Sequence, residues 1–144
     1  RVLAVDISRK ALGYATKNAA ANHAEISFYE SDLFQNIPAQ WRGQLDAIVS
    51  NPPYIPTADI ASLEPEVCEH DPLSALDGGA DGFAHYEKIA SLAPLLLKKG
   101  GYILLEAGIG QARHISEVFA GRGLSALEIK PDLAGTERCV ILKK

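Results

Sequence analysis

Short apolar runs that each stop at a polar side chain, separated by stretches of helical periodicity, constrain this chain's fold most. Val2-Leu3-Ala4-Val5 ends at Asp6, Glu25 to Tyr29 ends just before Asp32, and Leu45 to Val49 runs into Asn51-Pro52-Pro53-Tyr54. Runs apolar at successive positions suit strands covered on both faces. Ser8 is placed to cap a helix reaching about Asn22, with Ala11, Leu12, Ala15 and Ala19 on one stripe and Gly13 a modest weakness. From Thr57 to Gly82 the chain is rich in Pro, Gly, Asp and Glu, which predicts a long loop with at most short helices. Asp81 to Lys98 then has a helical pattern, interrupted by Pro94 and terminated by Gly100-Gly101. Tyr102–Leu105, Leu124–Ile129 and Arg138–Leu142 suit strands, and Gly110–Gly121 a helix.

Strands alternating with helices predict a doubly wound, Rossmann-like α/β sheet, mostly parallel. The loop from Pro131 to Glu137 is too short for a helical crossover, so the last two strands should pair antiparallel and form a C-terminal edge. The chain has no internal repeat. It contains no methionine and opens at Arg1 directly in an apolar run, which predicts a piece of a longer polypeptide.

Composition narrows the function. Lys plus Arg number 14 against 18 for Asp plus Glu, a net of −4, with the basic residues scattered. Phosphate neutralisation supplies most affinity for long nucleic acids, so a DNA- or RNA-binding role is disfavoured. Cys68 and Cys139 lie far apart in no metal-ligand spacing, which fits two free thiols in a reduced, cytoplasmic setting and no metal site. No apolar run approaches the length of a membrane span.

In open α/β sheets, ligands bind beyond the carboxyl ends of the strands. Asp6 suits either a carboxylate accepting from ribose hydroxyls or an Asx turn at a helix start. Asp32 suits either an acceptor for an exocyclic adenine amine, with Leu33 or Phe34 over the ring, or a solvated loop acid. Asn51-Pro52-Pro53-Tyr54 is the strongest signal. Two consecutive prolines stiffen the backbone and leave carbonyls as its polar groups. The Asn51 side-chain oxygen and the Pro52 carbonyl would then be two acceptors for one planar –NH2 group, favouring pyramidalisation of its delocalised nitrogen. Tyr54 would stack on the planar group. Such placement can lower a barrier by about 7–11 kcal/mol in favourable cases.

The tetrapeptide, following Ala47-Ile48-Val49-Ser50, resembles the signature of methyltransferases acting on planar amide or exocyclic amino nitrogens. The whole chain is similar to the release-factor glutamine methyltransferases. The resemblance rests on Ala4–Ser8, Ser50–Pro56, Asp71–Gly82, Leu104–Gly108 and Asp132–Arg138, although the family usually carries Glu where this chain has Asp71. It implies a class I enzyme using S-adenosylmethionine, with Asp6, Asp32 and Leu33 at the cofactor and Asn51 adjoining it. It implies further that Asn51, Pro52, Pro53 and Tyr54 hold the substrate glutamine, with Asn51, Pro52 and Tyr54 as the catalytic set. The substrate implied is the glutamine of the Gly-Gly-Gln motif in peptide chain release factors.

The same resemblance implies that residues 1–144 are the C-terminal portion of one methyltransferase domain. The first strand, its glycine-rich loop and an N-terminal helical domain would lie outside, and this piece alone should be inactive. Glycines 78, 79, 82, 100 and 101 do not replace that loop. Three alternatives stand beside the leading one: a glutamine methyltransferase of a ribosomal protein, an adenine-N6 enzyme, and a non-catalytic nucleotide-binding module. Glu106 suits a cleft or a capping role, and Trp41 should cover the sheet edge. The four histidines suit surface or loop positions, and Arg138 should pair with Asp132 or Glu137.

Overall fold

A computed structural model describes residues 1–68 and 70–144, and the side chain of Cys68 lies outside the description. The chain forms two compact units, Arg1–Trp41 and Arg42–Lys144.

In the first unit, strand β1 (Val2–Asp6) pairs in parallel with β2 (Ile26–Glu30), in a register that sets Asp6 beside Glu30. Helix α1 (Arg9–Ala21) joins them. Ser8 caps it as expected, its side chain accepting the Ala11 N–H at 3.2 Å and leaving one fewer orphan donor in the first turn. Trp41 is buried in this unit, with the Arg1 guanidinium 4.5 Å above its ring.

The second unit holds the apolar core. Strand β3 (Leu45–Ser50) leads through residues 51–56 to a 3-10 turn at Thr57–Ser62 and two single-turn helices, α2 (Pro65–Cys68) and α3 (Leu73–Leu76). The long irregular segment expected there is present. Helix α4 (Ala84–Leu96), strand β4 (Leu97–Glu106), helix α5 (Ala112–Ala120), and strands β5 (Ser125–Pro131) and β6 (Glu137–Lys143) follow. The strand order is β3-β4-β6-β5, with β3 parallel to β4 and β6 antiparallel to both of its neighbours. The expected antiparallel pairing is therefore present, with β6 inserted between β4 and the outermost β5.

One face of this sheet carries Ile48, Ile103, Leu105, Val140 and Leu142, all buried. Helix α4 buries Tyr86, Ile89, Ala90, Ala93 and Leu96, and α5 buries Ala112, Ile115 and Phe119, each a stripe at helical spacing. Truncating one large member of such a core costs about 3–5 kcal/mol.

Two boundaries differ from expectation. Helix α4 starts at Ala84, after the Asp81 carboxylate accepts the Phe83 N–H at 3.0 Å. It stops at Leu96 because the backbone already turns into β4 at Leu97, and Pro94, in the last turn, has no N–H to continue the helical ladder. The Lys144 ammonium donates to the carbonyls of Pro94 at 2.6 Å and Leu97 at 2.8 Å, satisfying groups the helix end leaves open. Gly100-Gly101 accordingly do not end the helix; they lie within β4. Leu45 pairs with Leu97 and Ala47 with Tyr102, so β4 bulges there. A Cβ on Gly101 would come within 3.1 Å of the Lys98 carbonyl oxygen and 3.2 Å of the Asp46 carbonyl oxygen.

Candidate active site

Asp6 and Asp32 lie at the same end of the first unit, where the parallel strands finish. The Ser31 N–H donates to the Asp6 carbonyl at 3.0 Å, locking the segment that carries Asp32 to the end of β1. Ser31 is buried and its Oγ accepts the Asn36 N–H at 2.9 Å. One oxygen of Asp6 accepts the Ser8 N–H at 2.7 Å, so the Asx turn is formed and orients the carboxylate. Asp32 accepts from the Gln35 side chain at 2.9 Å. Leu33 adopts φ 49, a left-handed conformation that a bulky residue rarely takes and that collects at ligand sites.

In the second unit, Asn51-Pro52-Pro53-Tyr54 leaves the carboxyl end of β3 with no regular secondary structure. Asn51 is exposed, Pro52 buried, and Pro53 and Tyr54 half-buried. Neither the Asn51 side chain nor the Pro52 carbonyl is taken up by a hydrogen bond among the described residues. A cleft of about 340 Å³ lies at this end of β3 and β4, where Asn51 and Ser50 face Glu106, Arg138 and Cys139.

The tetrapeptide is backed by a segment whose role the sequence did not reveal. Ile55 donates to the Leu76 carbonyl at 3.1 Å and accepts from the Gly78 N–H at 2.8 Å, while the Thr57 N–H donates to the Gly79 carbonyl at 2.9 Å. Asp77 accepts the Thr57 hydroxyl at 2.7 Å and the Gly79 N–H at 2.9 Å. These donors hold its carboxyl below the ordinary value, the Thr57 hydrogen bond contributing most. Glycine is required for this close packing. A Cβ on Gly78 would stand 2.8 Å from the Tyr54 backbone, and one on Gly82, at φ 83, would stand 2.5 Å from the Tyr54 carbonyl oxygen.

Tyr54 is held from the other side by the end of β4. Its phenol donates to Glu106 Oε1 at 3.3 Å. Burial above all, then the Glu106 charge, push this phenol above its ordinary value, with Arg138 opposing, so it stays a donor through neutral pH. Gln111 donates through Nε2 to the Tyr54 carbonyl at 2.9 Å and accepts the Gly108 N–H through Oε1 at 3.0 Å. The buried Tyr86 hydroxyl donates to the Glu106 carbonyl at 2.7 Å and fixes that strand end to the core.

Of the two positions expected for Glu106, the structure takes the cleft, where its side chain contacts Tyr54. His85 sits half-buried on α4 with Nδ1 enclosed, rather than in a surface or loop position as expected. Gln111 carries no local sequence signal for the role it plays at Tyr54 and Gly108. Arg138 pairs with Asp132 at 3.7 Å as expected, and also donates to the Ala107 carbonyl at 3.3 Å. Asp71 is exposed. Cys139 is a free thiol. No cluster of three or more metal-competent side chains occurs among the described residues, and no helix there is long and apolar enough to cross a membrane.

Comparison with known proteins adds to this geometry. A family model described as "Methyltransferase small domain" matches residues 1–64. The chain is 44% identical over 144 residues to the release factor glutamine methyltransferase of Rhodospirillum rubrum, covering 99% of this chain and 43% of that protein. It is 41% identical over 140 residues to the enzyme of the same name from Geobacter sulfurreducens, covering 97% of this chain and 48% of that protein. The chain spans about half the length of these curated relatives. Among solved structures, a methyltransferase from Pyrococcus furiosus superposes with a TM-score of 0.72 at 19% identity, over 100% of this chain and 62% of that one. A release factor-specific protein-(glutamine-N5) methyltransferase from Alicyclobacillus acidocaldarius gives a TM-score of 0.50 at 24% identity, over 100% of this chain and 79% of that one. These likenesses bear out the Rossmann-like fold.

Proposed function

We propose that this chain, which is similar over nearly its whole length to release factor glutamine methyltransferases, belongs to that family and serves to methylate the side-chain amide nitrogen of the glutamine in the Gly-Gly-Gln motif of release factors. One observation carries the reading. Asn51 and Pro52 present two uncommitted oxygen acceptors from a rigid corner at a strand's carboxyl end, beside an open cleft.

The first unit fits S-adenosylmethionine. Asp6, oriented by its Asx turn, would accept from the ribose hydroxyls, and Asp32 with the strained Leu33 would hold the adenine. When bound, that cofactor supplies a methyl group already activated on a sulfonium. What remains for the protein is placement and exclusion of water.

Asn51 Oδ1 and the Pro52 carbonyl each accept one hydrogen of the acceptor amide. Held at both hydrogens, the nitrogen is oriented toward the methyl donor, and acceptors set to one side of the amide plane would favour its pyramidalisation. Pro53 keeps the two acceptors in fixed relation, and Tyr54 covers the flat face of the amide. No acidic base has to remove a proton before attack, since the methylated nitrogen sheds it afterwards. The net charge of −4 and scattered basic residues favour a protein substrate over a nucleic acid. A translation factor as partner places the work in the cytoplasm.

The test offers the whole protein labelled S-adenosylmethionine with purified release factor, ribosomal proteins and DNA. Label is expected in the release-factor peptide that contains Gly-Gly-Gln. Label in ribosomal protein alone or in DNA alone would reassign the acceptor. Cofactor binding with no transfer to any of them would mark a non-catalytic module.

A further inference from the structure

We infer that Glu106 is a positioning residue that holds the Tyr54 ring in place against the acceptor amide. The inference rests on the placement of Tyr54 at the acceptor proposed above. Its basis is a relay of contacts from the core to the ring. Tyr86, fully buried, donates to the Glu106 main chain at 2.7 Å, and the Glu106 side chain accepts the Tyr54 phenol at 3.3 Å. Gln111 holds the Tyr54 carbonyl, and Gly108 passes so close to the ring edge that a Cβ there would lie 3.0 Å from Tyr54 Cδ2.

The ring is therefore fixed at its backbone, along one edge and at its hydroxyl. The Gly108 edge limits rotation about Cβ–Cγ, the axis on which the hydroxyl lies, but leaves the ring free to swing about Cα–Cβ unless its far end is held by a contact. Glu106 supplies it, and its own backbone belongs to a strand paired on both sides. An aromatic face covering a planar amide must keep its position while the nitrogen pyramidalises, and a ring free to swing would lose that contact part of the time.

Glu106 also lines the cleft with Asn51, so a direct action on the acceptor is the rival to be separated. The carboxylate oxygen nearest Tyr54 is already engaged, and amide methylation needs no base before attack.

The experiment is a double-mutant cycle on the whole protein, using Glu106→Ala, Glu106→Gln, Tyr54→Phe and the Tyr54→Phe/Glu106→Ala pair. Initial rates are measured against acceptor and against S-adenosylmethionine, with urea midpoints alongside. Positioning predicts that Glu106→Ala and Tyr54→Phe each lower kcat/KM for the acceptor about tenfold. It predicts that the pair loses no more than either alone, and that Glu106→Gln stays within about twofold because its amide oxygen still accepts from the phenol. Apparent affinity for the cofactor should not move.

Glu106→Gln as impaired as Glu106→Ala, or losses that multiply in the pair, would overturn the inference. Should release factor take no label, the cycle is run with whichever acceptor the wild type does methylate, so the acceptor assignment fails separately. With no acceptor at all, overlapping shifts of the urea midpoint support the contact and additive shifts overturn it.

Discussion

The side chain of Gln111 is hydrogen bonded to the main-chain carbonyl of Tyr54 at 2.9 Å, while its other end accepts the Gly108 N–H at 3.0 Å. One amide thus ties the loop after β3 to the loop after β4. It answers a polar group on each loop that would otherwise be left partly buried and unpaired.

Gln111→Ala removes both contacts at once. Each unpaired group left partly buried costs on the order of 1–3 kcal/mol, so a loss of about 2 kcal/mol in unfolding free energy is expected, with reduced turnover. Urea denaturation and initial rates check this. Unchanged stability would show that water replaces both contacts freely.

Gly82→Ala should be worse for the site. The residue sits at φ 83, and the added Cβ would stand 2.5 Å from the Tyr54 carbonyl oxygen. A left-handed alanine costs about 1–2 kcal/mol, and displacing the Tyr54 backbone adds to it. Stability should fall by at least about 2 kcal/mol, with acceptor kinetics damaged more than cofactor affinity.

Asp77 gives the loop a pH dependence whose sign is fixed by its partners. Its folded value is held below the ordinary 3.8 by the Thr57 hydroxyl first and the Gly79 N–H second, with His85 adding a smaller effect. A carboxyl lowered in the folded state stabilises above its unfolded value, and the contribution fades as pH falls from about 3.8 through the lower folded value. Asp77→Asn should lower the thermal midpoint at neutral pH and flatten its dependence across that acid window. Parallel acid profiles for wild type and variant would contradict this.

Asp6→Ala should weaken S-adenosylmethionine binding about tenfold or more, since contacts from a carboxylate to hydroxyls are lost. Turnover at saturating cofactor should change little. Equilibrium titration of cofactor affinity checks it, and an unchanged affinity would leave Asp6 as a turn residue only.

Much of the fold was legible because periodicity and punctuation agreed. Ser8 capped its helix, and the runs at Val2 and Leu45 became strands ending at Asp6 and just before Asn51. The Pro131–Glu137 connection was too short for anything but an antiparallel return. Gly100 and Gly101 misled because glycine after a helix commonly means a stop, whereas here it permits a bulge against Asp46, a contact distant in sequence. The tetrapeptide was legible because its chemistry is local. Its supports were not: Gly78, Gly82, Glu106 and Gln111 act on Tyr54 across tens of residues. Nothing in their own neighbourhoods distinguishes a glycine pressed against a carbonyl from one in a free turn.

Asn51→Ala tests the central claim most directly, with label transfer and cofactor affinity measured on the same preparation. If the Asn51 oxygen orients the reacting nitrogen, turnover should fall by roughly two orders of magnitude or more while cofactor affinity stays nearly unchanged. Parallel loss of transfer and of cofactor binding would show that Asn51 only shapes the loop, and the account would fail.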